Sequence, residues 1–259
     1  MTEPQEHFIE LAGTRLHYFT GGQGTPLVVL HSVEGNLGWR SHLEQLAQHY
    51  TVYAPTLPGF GRSERPLWLE SFADLTRYTL WLVEALGLHK TALLGHGIGG
   101  WLAAEMAVVS PQLVERLILV DAAGVRPHQG EITDIFLHGH DASRRMAFFA
   151  PDKAPAYEEF FSGRKLPLEE REINVKNQET AIRYCWKPYM HDPVLPFLLP
   201  RVQAPTLIVW GKEDQIVPLE CGSLYQQGLK NSRLAVIEQC GHYPQFEKTD
   251  EFIRLVREQ

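Results

Sequence analysis

Residues 95–99 read Gly-His-Gly-Ile-Gly and lie where a predicted strand turns abruptly into a predicted helix. A turn of this kind, with glycine two residues before and after its centre, exposes the central side chain at the end of a sheet, where it can attack a carbonyl carbon. The central residue here is Gly97, which has no side chain. The sequence therefore predicts a frame for nucleophilic attack that lacks its nucleophile.

Glycine at the centre of this turn has a backbone consequence and a chemical consequence. The turn holds its central residue at positive φ, where a residue with a side chain stores about 1–3 kcal/mol of strain and glycine does not. Removal of the serine from a catalytic triad lowers turnover by about 10⁶-fold. Acyl-enzyme catalysis by the chain as written, with Gly97 at this position, is therefore not expected.

Short apolar strands alternate with helical patterns along the chain, which indicates βαβ units and a mainly parallel sheet. A hairpin that turns near Gly13 is predicted from residues 7–11 and 15–20. Buried strands of the parallel type are predicted at residues 26–31, 51–55, 91–95, 117–121, 206–210 and 233–238. Helices are predicted around residues 75–86, over 98–109 and over 251–257.

A mainly helical cap over the sheet is predicted from about residue 125 to residue 200, where mixed aromatic, charged and proline-rich sequence replaces the strand–helix alternation. Residues 1–124 and 201–259 then form the core domain. Aromatic residues are frequent in the insert, and some of them, Trp186 among them, are expected to line an apolar pocket over the turn.

No metal or organic cofactor is expected. His138 and His140 in the insert are potential metal ligands, but no further ligands lie at a supporting spacing, so a solvated surface is the preferred interpretation. The three cysteines are scattered and fit neither a disulfide framework nor a zinc site.

Length and charge narrow the range of partners. A chain of 259 residues suits one large α/β domain with an insertion. Its net charge of −7, without a run of lysine or arginine, argues against nucleic acid or an anionic membrane as a partner.

The N-terminal residues lack the basic and apolar regions of a leader, and no apolar run reaches the roughly 18 residues of a membrane span. We expect a cytoplasmic protein that acts on a small molecule, with its oligomeric state left open.

Several motifs fall in an order that resembles the α/β-hydrolase superfamily over essentially the whole chain. Residues 31–36, His-Ser-Val-Glu-Gly-Asn, are similar to the family's His-Gly-x-x-Gly loop, and residues 58–63 match its Pro-Gly-x-Gly-x-Ser loop. The glycine-centred turn comes next, followed by Trp-Gly-Lys-Glu-Asp at 210–214 and Cys-Gly-His at 240–242. The resemblance implies an α/β-hydrolase fold, with a mostly parallel central sheet flanked by helices and an inserted cap.

The resemblance also implies a role for each matched position. Gly97 takes the place of the nucleophile, and Asp214 and His242 correspond to the acid and the base of the triad. The backbone amides of Val33 and Ile98 correspond to the oxyanion hole. The order of nucleophile, acid and histidine along the chain is the order expected of this fold.

Four side chains, three at these motifs and one in the insert, are predicted to line the substrate pocket: His31, Ser32, Tyr243 and Trp186. In a loop rich in backbone groups, an imidazole such as that of His31 usually organises hydrogen bonds. Ser32 stands where the matched loop usually has glycine; it offers an alternative nucleophile, but its place in the oxyanion loop indicates a structural role. Asp121 is interpreted as a strand-end residue.

One function that fits is a hydrolase that has lost its nucleophile, natively or by substitution. Residues 210–246 resemble carbon–carbon hydrolases of aromatic-ring degradation, and also enol-lactonases and esterases. The bond attacked would be an ester, a lactone or a carbon–carbon bond of the β-diketone type in a small apolar or aromatic substrate. All three bond types pass through an oxyanion.

Two other functions stay open. In a natural enzyme without a nucleophile, His242 oriented by Asp214 would move a proton or activate a water, as a lyase, isomerase or hydrolase. A non-catalytic module that binds a small ligand is the other alternative. Retention of both Asp214 and His242 argues against it, since a receptor does not need them as a pair.

Overall fold

An eight-stranded sheet forms the centre of the computed structural model, which describes residues 3–138, 140–161 and 167–259. The strands are β1 (Gln5–Leu11), β2 (Thr14–Gly21), β3 (Thr25–Leu30), β4 (Tyr50–Pro55), β5 (Thr91–His96), β6 (Val114–Val120), β7 (Thr206–Gly211) and β8 (Ser232–Ile237). Their order across the sheet is β1-β2-β4-β3-β5-β6-β7-β8. β2 pairs antiparallel with both β1 and β4, and the remaining pairs are parallel. The mostly parallel sheet is the one that the sequence predicts.

Helices connect the strands. They are α1 (Ser41–Leu46), α2 (Phe72–Ala85), α3 (Ile98–Val109), α4 (His140–Met146), α5 (Leu168–Cys185), α6 (Leu195–Leu198), α7 (Leu219–Gly228), α8 (Pro244–Glu247) and α9 (Thr249–Arg257). Short 3₁₀ segments lie at Pro151–Lys153 and Leu199–Arg201, and a π-helical turn lies at Tyr157–Phe161.

Two apolar layers bury the two faces of the sheet. Successive side chains of a strand point to opposite faces, so Leu93 and Leu94 of β5 pack into different clusters. The cluster that contains Leu93 also holds the buried sides of α2, α3 and α7. The cluster that contains Leu94 holds those of α1 and α9. Burial on both faces explains why the central parallel strands read as continuous apolar runs.

The chain leaves the sheet between β6 and β7, and the helices α4, α5 and α6 lie in this insertion. The predicted cap at residues 125–200 falls within it, and its boundaries remain a prediction. Polar contacts tie α5 to the loops of the core. Lys176 donates hydrogen bonds to the carbonyl groups of Gly61 and Ser63, at 2.8 and 2.9 Å, and Thr180 donates to that of Gly59 at 2.9 Å.

The observed strands agree with the predicted ones to within a few residues, and one boundary matters for the site. The run predicted at 117–121 is β6, which begins at Val114 and ends at Val120. Asp121 has left the strand, with φ of 43°. Within the described ranges, the structure contains no helix that is both long and apolar enough to cross a membrane.

Candidate active site

The turn between β5 and α3 has the geometry that the sequence predicts. Gly97 adopts φ of 55° and ψ of −117°, and its amide donates to the carbonyl of Val120 at 3.0 Å. A Cβ on Gly95 would lie 2.1 Å from the carbonyl oxygen of Gly99, and a Cβ on Gly99 would lie 2.3 Å from that of Leu30. Only glycine fits at these two flanking positions, so β5 and α3 pack closely and Gly97 lies at a sharp corner.

Ser32 and His242 occupy the space beside Gly97. An ideal Cβ built on Gly97 would lie 2.1 Å from Ser32 Oγ and 2.9 Å from Ser32 Cβ. The same point lies 3.4 Å from His242 Nε2. The side chain of Ser32 therefore fills the volume in which the side chain of an ordinary nucleophile would begin, next to the imidazole.

His242 and Asp214 form a buried hydrogen-bonded pair. His242 Nδ1 lies 2.8 Å from Asp214 Oδ2, and the exposed fractions of the two side chains are 5% and 0%. Asp214 Oδ1 accepts the amides of Ile216 and Val217 at 2.7 and 3.1 Å, which fixes the carboxylate. Since Nδ1 donates to this carboxylate, Nε2 carries the lone pair and faces Gly97. Burial alone would lower the pKa of His242, but the charge and the hydrogen bond of Asp214 outweigh it and raise the pKa above its ordinary value.

Two neutral histidines support the backbone around this pair. His96 Nε2 donates to the carbonyl oxygen of His242 at 2.6 Å, and burial holds the pKa of His96 well below its ordinary value. His31 accepts the amide of Leu57 through Nε2 at 2.9 Å and donates from Nδ1 to the carbonyl of Ser32 at 2.7 Å. Burial lowers the pKa of His31 to about 4. Both imidazoles therefore organise loops as uncharged groups.

Asp121 lies behind Asp214. One side-chain oxygen of each acid and a ring nitrogen of His242 lie within 4.8 Å of one another. Burial, reinforced by the charge of Asp214, raises the pKa of Asp121 well above its ordinary value and favours the uncharged acid. An ion between these groups would have to separate His242 Nδ1 from Asp214 Oδ2, which are at hydrogen-bond distance. The arrangement fits a hydrogen-bonded chain and does not fit a metal site.

The amides of Val33 and Ile98 lie at the same end of the sheet. Ile98 is the first residue of α3, where the helix dipole favours negative charge. Within the described part of the chain, neither amide donates a hydrogen bond to another protein group. Both residues line the cavity that contains Gly97 and His242. Two unengaged amides on the wall of one cavity can bind a negative oxygen.

A cavity that opens to solvent at its mouth lies over Gly97. Much of its wall is apolar and comes from the insertion and from the loop after β7: Ile132, Ile135, Phe136, Met190, Ile216 and Val217. Arg144 and Glu34 place charges on the wall, and Asn174 and Gln178 add amides. The cavity therefore suits a small, largely apolar molecule with a polar or anionic end.

Two of the four predicted pocket residues line this cavity, and the other two do not. Ser32 and Tyr243 line the cavity, and the Tyr243 hydroxyl donates to the carboxylate of Glu34. His31 does not line it; this side chain lines a second cavity behind the loop at residues 31–36, because its hydrogen bonds hold the ring there. Trp186 does not line it either. The helix α5 ends at Cys185, and Trp186, 51% exposed, lines a separate outer cavity.

Several polar cavity residues were not predicted from the sequence, Glu34 and Asn177 among them. Glu34 lies inside the loop at residues 31–36, and its acidic side chain next to the oxyanion position was a signal that could have been used. Asn177 donates to the carbonyl of Glu34 at 2.7 Å and accepts the amide of Gly61 at 2.7 Å. Nothing in its sequence context distinguishes it from the other polar residues of α5.

Comparison with known families shows which protein family the chain belongs to. The sequence matches the Alpha/beta hydrolase family over residues 27–255. This chain belongs to that family. Among α/β-hydrolases, it is 32% identical over 260 residues to a 2-hydroxy-6-oxononadienedioate/2-hydroxy-6-oxononatrienedioate hydrolase of Pseudomonas putida, an alignment that covers 93% of this chain and 90% of the relative.

A second relative and a solved structure are also similar to this chain over nearly its whole length. The chain is 28% identical over 263 residues to a 2-hydroxy-6-oxo-6-phenylhexa-2,4-dienoate hydrolase of Comamonas testosteroni, with 95% of this chain and 91% of the relative covered. It superimposes on the crystal structure of a 2-hydroxy-6-oxo-6-phenylhexa-2,4-dienoate hydrolase from Rhodococcus sp. strain RHA1 with a TM-score of 0.81 at 23% identity, covering 100% of this chain and 99% of that one. At that identity, the superposition supports the fold alone.

Proposed function

We propose that this α/β-hydrolase hydrolyses a carbon–carbon bond next to a carbonyl group in a small dienoate. The observation that carries the proposal is the position of His242 Nε2, which faces the corner at Gly97 while Asp214 holds Nδ1. The relatives named above support the substrate class, since both are hydrolases of 2-hydroxy-6-oxo dienoates or dienedioates. Esters and lactones share the same oxyanion chemistry and are the next substrates to consider.

Hydrolysis of such a bond needs two events that this cavity can support. An oxygen must reach the carbonyl carbon, and the carbon on the other side of the bond must receive a proton. His242 can take a proton from the attacking oxygen and return it to the leaving carbon. In this proposal the amides of Val33 and Ile98, which line the cavity, bind the negative oxygen, and Arg144 supplies a cation for the carboxylate of a dienoate.

The test is turnover of 2-hydroxy-6-oxo-6-phenylhexa-2,4-dienoate by the unaltered chain and by His242→Ala. Hydrolysis releases the phenyl-bearing acyl group as benzoate, which is quantified by mass spectrometry. We expect His242→Ala to lower benzoate formation by about 10³-fold or more, because it removes the general base. His89→Ala changes an exposed histidine away from the cavity and serves as the matched control.

The outcomes separate this function from the alternatives. Equal benzoate formation by His242→Ala and the unaltered chain would contradict the proposed role of the imidazole. An isomer of the substrate without benzoate would indicate proton transfer alone. Tight binding without any product would indicate a ligand-binding module.

A further inference from the structure

We propose that Ser32 supplies the nucleophilic oxygen that Gly97 lacks. The inference rests on the proposed function, and it concerns the source of the attacking oxygen. It assigns catalytic chemistry to a residue whose place in the oxyanion loop had indicated a structural role. Four observations on the described residues support it.

The first observation is position. Ser32 Oγ lies 2.1 Å from the point where a Cβ of residue 97 would be, and His242 Nε2 lies 3.4 Å from that point. The hydroxyl of Ser32 therefore lies within the volume that a nucleophile at position 97 would use, beside the basic nitrogen of the imidazole. Ser32 also lines the substrate cavity together with Gly97 and His242.

The second observation is that a side chain at position 97 and the side chain of Ser32 cannot both fit. A Cβ at position 97 would approach Ser32 Oγ to 2.1 Å and Ser32 Cβ to 2.9 Å, both shorter than van der Waals contact. With this backbone, one side chain fits between the oxyanion loop and the turn, and two do not. Glycine at position 97 is therefore what makes room for serine at position 32.

The third observation is that the Ser32 backbone is held while its hydroxyl is not engaged. The carbonyl oxygen of Ser32 accepts the Nδ1 proton of His31 at 2.7 Å and the amide of Gly35 at 3.1 Å. Among the hydrogen bonds of the described residues, none involves Ser32 Oγ. Because no other described group engages this hydroxyl, rotation about the Cα–Cβ bond can turn it toward His242 Nε2, the base that would take its proton.

The fourth observation is the symmetry of the oxyanion amides. In the ordinary arrangement, one amide follows the nucleophile in sequence and the other comes from the facing loop. Val33 follows Ser32 directly, and Ile98 follows Gly97. Moving the hydroxyl from position 97 to position 32 therefore exchanges the roles of the two amides and leaves both beside the reacting carbonyl.

The reaction balances with these groups and water. His242 Nε2 takes the hydroxyl proton while Ser32 Oγ bonds to the carbonyl carbon, and the π electrons move to the oxygen held by the amides of Val33 and Ile98. Collapse of this oxyanion breaks the bond to the leaving carbon, which takes the proton from His242. Water then attacks the acyl ester in the same way, releases the carboxylic acid and restores the hydroxyl of Ser32.

A fluorophosphonate tests this assignment directly on the full chain. Its phosphorus bonds to an activated serine oxygen while fluoride leaves, and the adduct survives digestion. Trypsin releases residues 16–40 as one peptide, in which Ser32 is the only serine. We expect one adduct per chain, located in that peptide. Ser32→Ala is expected to lose the label and to lower benzoate release by about 10⁴–10⁶-fold, whereas Ser41→Ala, at an exposed serine, retains both.

An exchange variant shows whether the loss of activity in Ser32→Ala comes only from a folding defect. In Ser32→Gly/Gly97→Ser, the crowding at the corner is relieved, so the label should move to the tryptic peptide of residues 91–116 and turnover should exceed that of Ser32→Ala. Gly97→Ser alone keeps both side chains and is expected to be less active than the exchange variant.

The result that overturns the assignment differs from the one that overturns the proposed function. Full turnover by Ser32→Ala, with His242→Ala inactive, would mean that His242 activates a water and that Ser32 is not the nucleophile. An adduct on another residue would also overturn the assignment. An adduct on Ser32 without release of benzoate would support the nucleophile and contradict the proposed substrate.

Discussion

The neighbours of His242 differ in their own charge and therefore in their effect on its pKa. Asp214 is hydrogen-bonded to Nδ1 and raises the pKa of the imidazole, against the effect of burial. His96 donates to the backbone of His242 and is held neutral by burial. Asp121 lies behind Asp214, and its raised pKa favours the uncharged acid. Asp214 is therefore the neighbour whose charge should control the titration of His242.

The pH dependence of kcat/KM should show this control. His242 acts as a base only when neutral, so activity is absent at low pH and rises as the imidazole loses its proton, with a midpoint above the ordinary value of 6.5. Asp214→Asn removes the stabilising charge, so the midpoint should fall and kcat should drop by about 10⁴-fold. Asp121→Asn is the matched change at a group whose raised pKa favours the uncharged acid, and should shift the midpoint less. A midpoint below 6.5 in the unaltered chain would contradict this description.

At the level of secondary-structure elements, α5 links the insertion to the loops of the site. Asn177 joins two loops of the core, since it donates to the carbonyl of Glu34 and accepts the amide of Gly61. Glu34 belongs to the same loop as Ser32, so α5 holds the loop that carries the proposed nucleophile. Insertion and core are therefore coupled through backbone groups of the site.

Replacement of Asn177 should weaken both the fold and the reaction. Asn177→Ala removes two hydrogen bonds to half-buried backbone groups, which should lower the free energy of unfolding by roughly 1–3 kcal/mol. The loop with Ser32 then loses a support, so kcat/KM should fall as well. Chemical denaturation and steady-state kinetics measure the two effects, with Asn231→Ala, at an exposed position, as control. Unchanged stability would show that Asn177 does not hold the loop.

The elements differ in how well the sequence predicts them. The strand β5 is buried at every position, and its continuous apolar run makes it easy to recognise. The helix α5 buries polar residues such as Asn177 and Thr180 and acts through hydrogen bonds, so hydrophobic periodicity does not mark it. The direction of Trp186 depends on where α5 ends, which no local pattern specifies.

The site is predicted best where it lies at strand ends. Gly97, Asp214 and His242 follow β5, β7 and β8, and parallel strands bring their carboxyl ends to one edge of the sheet. The contact between Ser32 and position 97 is not encoded in either motif. It depends on how closely two loops approach in space, so it becomes visible only in the structure.

At the scale of the whole molecule, the two apolar layers stabilise the sheet, and the site lies at its edge. Leu46 of α1 is fully buried in the layer shared with α9, and it does not line the substrate cavity. A substitution in this layer should therefore change the stability of the fold without changing the chemistry of the site.

Leu46→Ala should destabilise the protein without changing its chemistry. Truncation of a fully buried leucine leaves a cavity and costs about 2–5 kcal/mol. Below the new melting temperature, kcat/KM should stay close to that of the unaltered chain. Leu67→Ala changes a leucine that is 83% exposed and should leave the unfolding free energy nearly unchanged. Equal unfolding free energies for the two variants would contradict the layer description.

Release of benzoate from 2-hydroxy-6-oxo-6-phenylhexa-2,4-dienoate by the unaltered chain is the decisive measurement of whether this site hydrolyses a carbon–carbon bond without a side chain at position 97. Catalysis with Gly97 in place requires another source of the attacking oxygen, which the structure offers at Ser32 beside His242. We predict several molecules of benzoate per chain, with release abolished in His242→Ala. Binding of the dienoate with no benzoate formed would contradict the proposed hydrolysis.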